Sequence, residues 1–420
     1  MSMDWRTPNL VARLIGIGLI LATVFNGAGF YLRKTGLVEP EKYRAYWALH
    51  CGLESPDSVF AGPGCCGKPS TAEERAIERA YTRYLYETPG YEILLKLVKD
   101  ALGIGVIVMS AYLLWRRKAP VPDWRLIRWP GWLAGVVAIA FLGSAINQGF
   151  WTAASGIRSF LFLGIALVGL WLARQMDYFA RCAGVLIVVQ LLLLPFELFK
   201  GIHLHGHFAG LLLSRMSGTL MLPNSLGVFA VAALAFYYAF SQSRTYLIGL
   251  TIATLVIVVV AGSATGILSL AVFLWWLMIE RTAGRARAAV VVAGGLATAL
   301  LLSALPEITG RPIFNSLIGY GGRLDRIWAS FSERGVWETV LGSGLGVGTN
   351  ALANLTRSGM LDLRPPMGGL SVISPDSTIA ALVWQIGFLG ATLFYGFVGW
   401  AFWKDPAARL FYFMIALTSL

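Results

Sequence analysis

A few arginines, a ladder of glycines and one carboxylate carry most of the chemistry in this sequence. Between residues 307 and 390 the otherwise apolar C-terminal half turns mixed. Gly-Gly-Arg-Leu-Asp-Arg-Ile-Trp stands at 321–328, followed by Gly342, Gly344, Gly346 and Gly348, and then by Ser-Pro-Asp-Ser at 374–377. Earlier in the chain, Arg215 is the one charged residue of the run 208–222. A cation in such a run is costly, so it needs an anion from the protein or from a ligand. Guanidinium forks suit phosphate and pyrophosphate, which they bind bidentately while staying charged, and Arg215, Arg323, Arg326 and Arg334 are the candidates. Asp376 is a lone carboxylate that can take a proton from a hydroxyl as a general base. It can equally cap the apolar helix that follows it. Alternate glycines, Gly344 and Gly346 among them, let backbone N–H groups approach a phosphate, and they suit a tight turn just as well.

These groups need elements to hold them. Leu324, Ile327, Trp328 and Phe331 recur at helical spacing, while Arg323, Arg326, Ser330 and Arg334 fall largely on other faces. A helix of that kind lies in a membrane interface, with its rings at the acyl boundary and its guanidinium groups toward water or lipid phosphate. Simple anchoring to anionic headgroups is the other reading of the same stripe.

The rest of the chain provides that membrane. Of its 420 residues, 57% are hydrophobic and 13% charged, against about 25% charged in a soluble protein. Apolar runs of spanning length separated by short charged links specify an all-α polytopic bundle, not a barrel. Spans are expected near 9–31, 92–115, 129–147, 156–173, 179–199, 222–241, 245–262, 266–280, 288–305, 378–403 and 407–420, about 11–12 helices in all if another follows. The whole chain, 1–420, reads as a single membrane domain with three longer outer loops at 33–91, 200–222 and 306–377. The first span is long and lacks a small-residue cleavage site, so it reads as a retained helix. With the N-terminus, carrying Arg6 and Arg13, inside, Arg116, Arg117, Arg181, Arg281, Arg285 and Arg287 all fall on inner links, which is the positive-inside pattern. The net charge of +12 is absorbed by that pattern and calls for no nucleic-acid partner.

Several other residues invite a role. Cys51, Cys65 and Cys66 lie in the first outer loop, where one disulfide is expected, Cys51 with Cys65 or Cys66. Cys182, in an apolar helix, reads as packing. His203, His205 and His207 alternate and could share one side of an extended chain, but no carboxylate or cysteine stands nearby to complete a metal shell. Lys96 and Asp100 share a helix face near the outer leaflet. Arg158 and Glu197 lie near outer helix ends and are candidates for a polar vestibule. The stretch Gly-Ser-Ala-Thr-Gly at 262–266 suits close helix contact. The outer loops hold no Asp-x-Asp pair, so neither a metal nor another cofactor is expected on a diphosphate there.

Arginines for a pyrophosphate leaving group and a base for a hydroxyl together describe glycosyl transfer from a lipid-pyrophosphate donor. At these residues the chain resembles the superfamily of O-antigen ligases and O-antigen polymerases of bacterial inner membranes. The resemblance rests on Arg-Met-Ser-Gly at 215–218 leading to Pro223 and Asn224, and on Gly322 and Arg323 followed by Ile327 and Trp328. It continues through Leu-Gly-Ser-Gly-Leu-Gly at 341–346 and through Asp376 and Ser377 before Gly-Phe-Leu-Gly at 387–390. It covers about 204–403. It implies a GT-C-like fold with short amphipathic helices in the large periplasmic loop, and a metal-independent inverting transfer on the periplasmic side of the inner membrane. The partners it implies are an undecaprenyl-pyrophosphate-linked glycan donor, a glycan acceptor and the lipid bilayer, with a chain-length regulator as a further candidate. Arg215 and Arg323 match the arginines that hold the donor pyrophosphate, with Arg326, Arg334, Arg158, Asn224, Gly344 and Gly346 as further binding candidates. Asp376 falls where the ligases carry a histidine, which favours a polymerase of repeat units over a ligase acting on lipid A-core. A flippase of the same lipid-linked sugars would need the arginines without the base. Against it stand the absence of an internal repeat and the clustering of charge on one side.

Overall fold

The computed structural model describes residues 10–35, 37, 90–115, 124–157, 160, 175–200, 216–220, 222–242, 245–309, 335–346 and 378–418. Among these the secondary structure is helical, with no strand. In chain order the helices are α1 (Leu10–Lys34), α2 (Gly90–Trp115), α3 (Trp124–Asn147), α4 (Phe150–Ile157), α5 (Met176–Lys200) and α6 (Pro223–Phe240). They continue as α7 (Leu247–Ala261), α8 (Ala264–Arg281), α9 (Gly284–Thr309), α10 (Val336–Leu341), α11 (Thr378–Lys404) and α12 (Arg409–Thr418). Five of them, α5, α6, α8, α9 and α11, contain stretches long and apolar enough to cross a membrane, and the protein is a helical membrane protein.

The expected spans fall on these helices, most of them to within a few residues. The fourth differs: the described part holds a short helix, Phe150–Ile157, that starts before the expected 156, and most of 156–173 lies outside the described residues. The helices α4 and α10 are additions that no apolar run announced.

The chain divides into two compact units. The first holds Met1–Ala12, Asp100–Met176 and Phe314–Leu420, and the second Arg13–Lys99 and Asp177–Ile313, so the boundaries fall within α1 and α2 and just after the first residue of α5.

In the second unit, polar contacts mark the two ends. At one end Tyr178 Oη donates to the Arg13 carbonyl (3.4 Å). Asp177 pairs with Arg181 (2.5 Å) and accepts from the Gln242 N–H (2.7 Å). Glu280 accepts from Tyr238 Oη (2.5 Å) and Trp276 Nε1 (2.7 Å). Arg281, Arg285 and Arg287 follow Glu280 in the chain, so this end is rich in arginine. At the other end Tyr31 Oη donates to the Leu193 carbonyl (2.8 Å), joining the last turns of α1 and α5.

Between the ends the packing relies on small residues, because lipid gives apolar side chains no reason to leave it and van der Waals fit must hold helices together. A Cβ on Gly227 of α6 would lie 2.5 Å from Ser263 Cβ, and one on Gly294 of α9 would lie 2.1 Å from the Trp275 ring. Cys182 is buried, with its sulfur 2.9 Å from where a Cβ on Gly16 would stand, which is the packing position the sequence suggests. Ile248, Ile252 and Leu255 of α7 and Val292, Leu296 and Leu300 of α9 are exposed and present apolar faces suited to lipid.

The first unit is built round α11. Leu133 and Val137 of α3, Phe160, Leu345, and Leu382, Val383, Ile386 and Ala391 of α11 form one buried cluster. Leu345 has no exposed surface, although it sits on a turn.

Candidate functional site

Two polar constructions stand out, one in each unit, and each is built on residues the sequence reading singled out or on their immediate neighbours.

In the second unit, the segment 216–220 crosses the end of α5. The Glu197 carboxylate, 3% exposed, accepts from the Ser217 N–H (2.8 Å) and the Gly218 N–H (2.7 Å), one oxygen to each. Seven residues earlier, and so on the same face of α5, the fully buried Gln190 donates from Nε2 to Thr219 Oγ1 (2.7 Å) and accepts from the Thr219 N–H (3.1 Å). Gly218 has φ 52°, and a Cβ there would stand 2.4 Å from Gln190 Oε1, so glycine is required both by the backbone and by the close approach. The Met216 N–H donates to the Val260 carbonyl at the end of α7 (3.3 Å). The chain thus leaves Arg215 and is held at once at four successive residues. It then enters α6 through Pro223, which suits a first helical turn, and Asn224 follows within that turn, half-buried. Close by, Ser263 caps α8 by accepting from the Gly266 N–H (3.1 Å).

In the first unit, the turn after α10 docks on a break in α11. Gly387 has φ 68° and ψ −177° inside what is otherwise one helix. The Ser343 N–H donates to the Trp384 carbonyl beside the break (2.8 Å), and the Gly346 N–H reaches Gln385 Oε1 (3.4 Å). From the turn that follows α3, Gln148 Nε2 donates to the Ser343 carbonyl (2.6 Å). Gly342, Gly344 and Gly346 all have positive φ, at 88°, 104° and 95°. Their lack of a side chain is used: a Cβ on Gly342 would stand 2.4 Å from the Gln385 carbonyl oxygen and one on Gly344 2.2 Å from Ser144 Oγ. One on Gly156 of α4 would stand 2.1 Å from the Gly346 nitrogen. Gly342, Gly344 and Gly346 therefore lie in a tight turn clasped by α3, α4 and α11. Among the described residues, Ser144 Oγ and Gln148 Oε1 are buried beside it with no hydrogen-bond partner.

Of the site residues expected from sequence, Asn224, Gly344 and Gly346 have the places just given. Arg215, Arg323, Arg326, Arg334, Arg158 and Asp376 lie outside the described residues, as do Cys51, Cys65 and Cys66 and the three histidines of 203–207. In the chain, Arg215 directly precedes the segment that Glu197 and Gln190 hold, and Asp376 comes two residues before α11 begins. Sequence reasoning passed over Gln190, Gln148 and Gln385. Their signal was present: an amide inside an apolar run, as in Val-Val-Gln-Leu-Leu at 188–192, is costly in lipid unless it is bonded.

No protein-family model matches the chain, and neither a curated protein nor a solved structure matches it.

Proposed function

We propose that the protein is a glycosyltransferase of the bacterial inner membrane that works at the periplasmic face and joins undecaprenyl-pyrophosphate-linked repeat units into a polysaccharide. The acceptor hydroxyl attacks the anomeric carbon of the donor, and the bond from that carbon to the pyrophosphate oxygen breaks with inversion. Asp376 takes the hydroxyl proton, and undecaprenyl pyrophosphate leaves with the electron pair. Arg215 and Arg323 stabilise the charge that grows on it.

The observation that carries this reading is the buried clamp on 217–219. A chain that only anchors to headgroups has no use for a carboxylate and an amide sunk in a helix bundle to fix the backbone next to an arginine. Burying such groups is costly unless they are hydrogen-bonded, and here their bonds go to residues 217–219. The clamp lies at the opposite end of its unit from Arg13, Arg181 and Glu280. By the positive-inside rule the arginine-rich end is cytoplasmic, which turns the clamp toward the side where lipid-linked glycans are joined in the family it resembles.

The test is a reaction of the purified protein with an undecaprenyl-pyrophosphate-linked repeat unit, with and without lipid A-core, resolved on a gel. A ladder of lipid-linked glycans without lipid A-core is expected, and Asp376→Asn should remove it from a protein that still elutes as a folded species. Glycan found only on lipid A-core would reassign the protein as a ligase. No product from either acceptor with a matched repeat unit would overturn the proposed reaction.

A further inference from the structure

We propose that the turn between α8 and α9 is a binding site for an anionic phospholipid, with Arg281, Arg285 and Arg287 around its phosphodiester and the outward face of α9 along its acyl chains. The site lies wholly within the second unit and does not depend on the transfer proposed above.

Arg281 ends α8, and Arg285 and Arg287 stand in the first turn of α9, all three of them exposed. Among the described residues none of the three makes an ion pair. Glu280 is the single carboxylate of the run 243–306, and both of its oxygens are engaged elsewhere. Its Oε2 accepts from Tyr238 Oη of α6 (2.5 Å) and its Oε1 from Trp276 Nε1 (2.7 Å). Even with Glu280 counted, three arginines against one carboxylate leave two positive charges in excess at the turn. Arg181, at the same end of the unit, is treated differently, since Asp177 holds it on its own helix. The charge at the α8–α9 turn is thus left for a group outside the chain, and guanidinium groups at a membrane surface suit lipid phosphate.

The surface beyond the arginines has the matching order. Arg285 precedes Val292 by seven residues and so shares its face of α9, and that stripe continues through Leu296 and Leu300. Val292, Leu296 and Leu300 are 62%, 62% and 70% exposed. On its other side α9 is fastened to α8: Trp275 Nε1 donates to the Val290 carbonyl (3.1 Å), and Gly294 lies against the Trp275 ring. Only 11% of the apolar window within Gly284–Pro306 is buried. From Arg285 to Leu300 the helix rises about 22 Å, more than the depth of about 15 Å that one leaflet provides. A phospholipid has the same sequence of parts, phosphate first and then tails, whereas a soluble anion would have no use for the stripe.

The experiment takes the whole protein in a neutral detergent and titrates it with phosphatidylglycerol or with phosphatidylcholine of the same acyl chains, counting bound lipids by native mass spectrometry. A basic residue near an anionic surface contributes about fivefold, so the first phosphatidylglycerol should bind at least about tenfold more tightly than phosphatidylcholine. Arg281→Gln, Arg285→Gln and Arg287→Gln combined should abolish that preference, and Arg285→Gln alone should lose part of it. Arg116→Gln, Arg117→Gln and Lys118→Gln combined, which remove as much charge from another link, should leave it in place. A wild type without the preference, or an α8–α9 triple variant that keeps it, would overturn the proposal. So would an equal loss in the second triple variant, which would mean a general effect of charge. Displacement of the bound lipid by inorganic phosphate at the same concentration would make this a soluble-anion site and overturn it as well. If the α8–α9 triple variant gives no folded protein, Arg285→Gln decides, and an unchanged preference there counts against the site.

Discussion

Replacing Gly387 by alanine tests whether the break in α11 is imposed by the turn that docks on it. At φ 68° and ψ −177° the residue occupies a region that essentially only glycine enters, and placing another residue there costs about 1–3 kcal/mol. The added methyl would lie 2.1 Å from the Val340 carbonyl oxygen and 2.5 Å from the Gly342 nitrogen, both backbone atoms that no rotamer change can clear. The turn must therefore retreat, and the bond from Ser343 N–H to the Trp384 carbonyl goes with it, for about another 1 kcal/mol. A total near 3 kcal/mol corresponds to a thermal midpoint lower by about 6–12 °C for a unit of this size. Intrinsic tryptophan fluorescence in detergent reports it, because Trp384 is buried next to the break. Gly342→Ala strikes the same contact from the other side, with its Cβ 2.4 Å from the Gln385 carbonyl oxygen. One retreat relieves both clashes, so the double variant should cost clearly less than the sum of the two singles. An alanine at 387 with a wild-type midpoint would refute the reasoning, since it would mean that the chain passes 387 as ordinary helix.

Two further outcomes follow from the packing. Gly227→Val drives a branched side chain into Ser263, 2.5 Å from the first added carbon, and should separate α6 from α8; a loss of about 2 kcal/mol or more would be seen as a lower midpoint and a poorer yield of monodisperse protein. Ser144→Ala removes a buried hydroxyl with no partner among the described residues, so it should leave the midpoint unchanged or raise it by about 1–2 °C, and a clear drop would show that the hydroxyl is engaged.

The helices were legible because, in lipid, the backbone of each span must satisfy itself, so an apolar run of the right length has one outcome. The spans expected at 245–262, 266–280 and 378–403 match α7, α8 and α11 closely, and the reversal at Gly262 was marked by the small residues around it. What stayed hidden depends on contacts between distant segments. Nothing in the run 378–403 marks Gly387 apart from Gly390, Gly396 and Gly399; only the approach of Gly342 and Val340 selects it. The glycine ladder was seen, but whether its N–H groups serve an anion or a turn is decided by Ser144 and Gln385, which are remote in sequence. Glu197 was visible as an ionisable group near a helix end, while its hold on Ser217 and Gly218 required α5 and the following loop to be folded together.

The shortness of α7 has a consequence for the lipid around it. Its 15 residues rise about 22 Å, well short of a hydrocarbon layer of about 30 Å. The adjoining α8 leaves the same corner and, with 18 residues, rises about 27 Å. For helices of similar tilt the shortfall therefore lies at the other end of α7, beside Tyr246, which is 68% exposed. There the acyl chains against Ile248 and Ile252 must shorten or splay, or the turn at 245–246 must sink below the headgroups with the Tyr246 ring bridging the gap. A bilayer around this unit is therefore expected to be thinner beside α7, on the arginine-rich end, than beside α8.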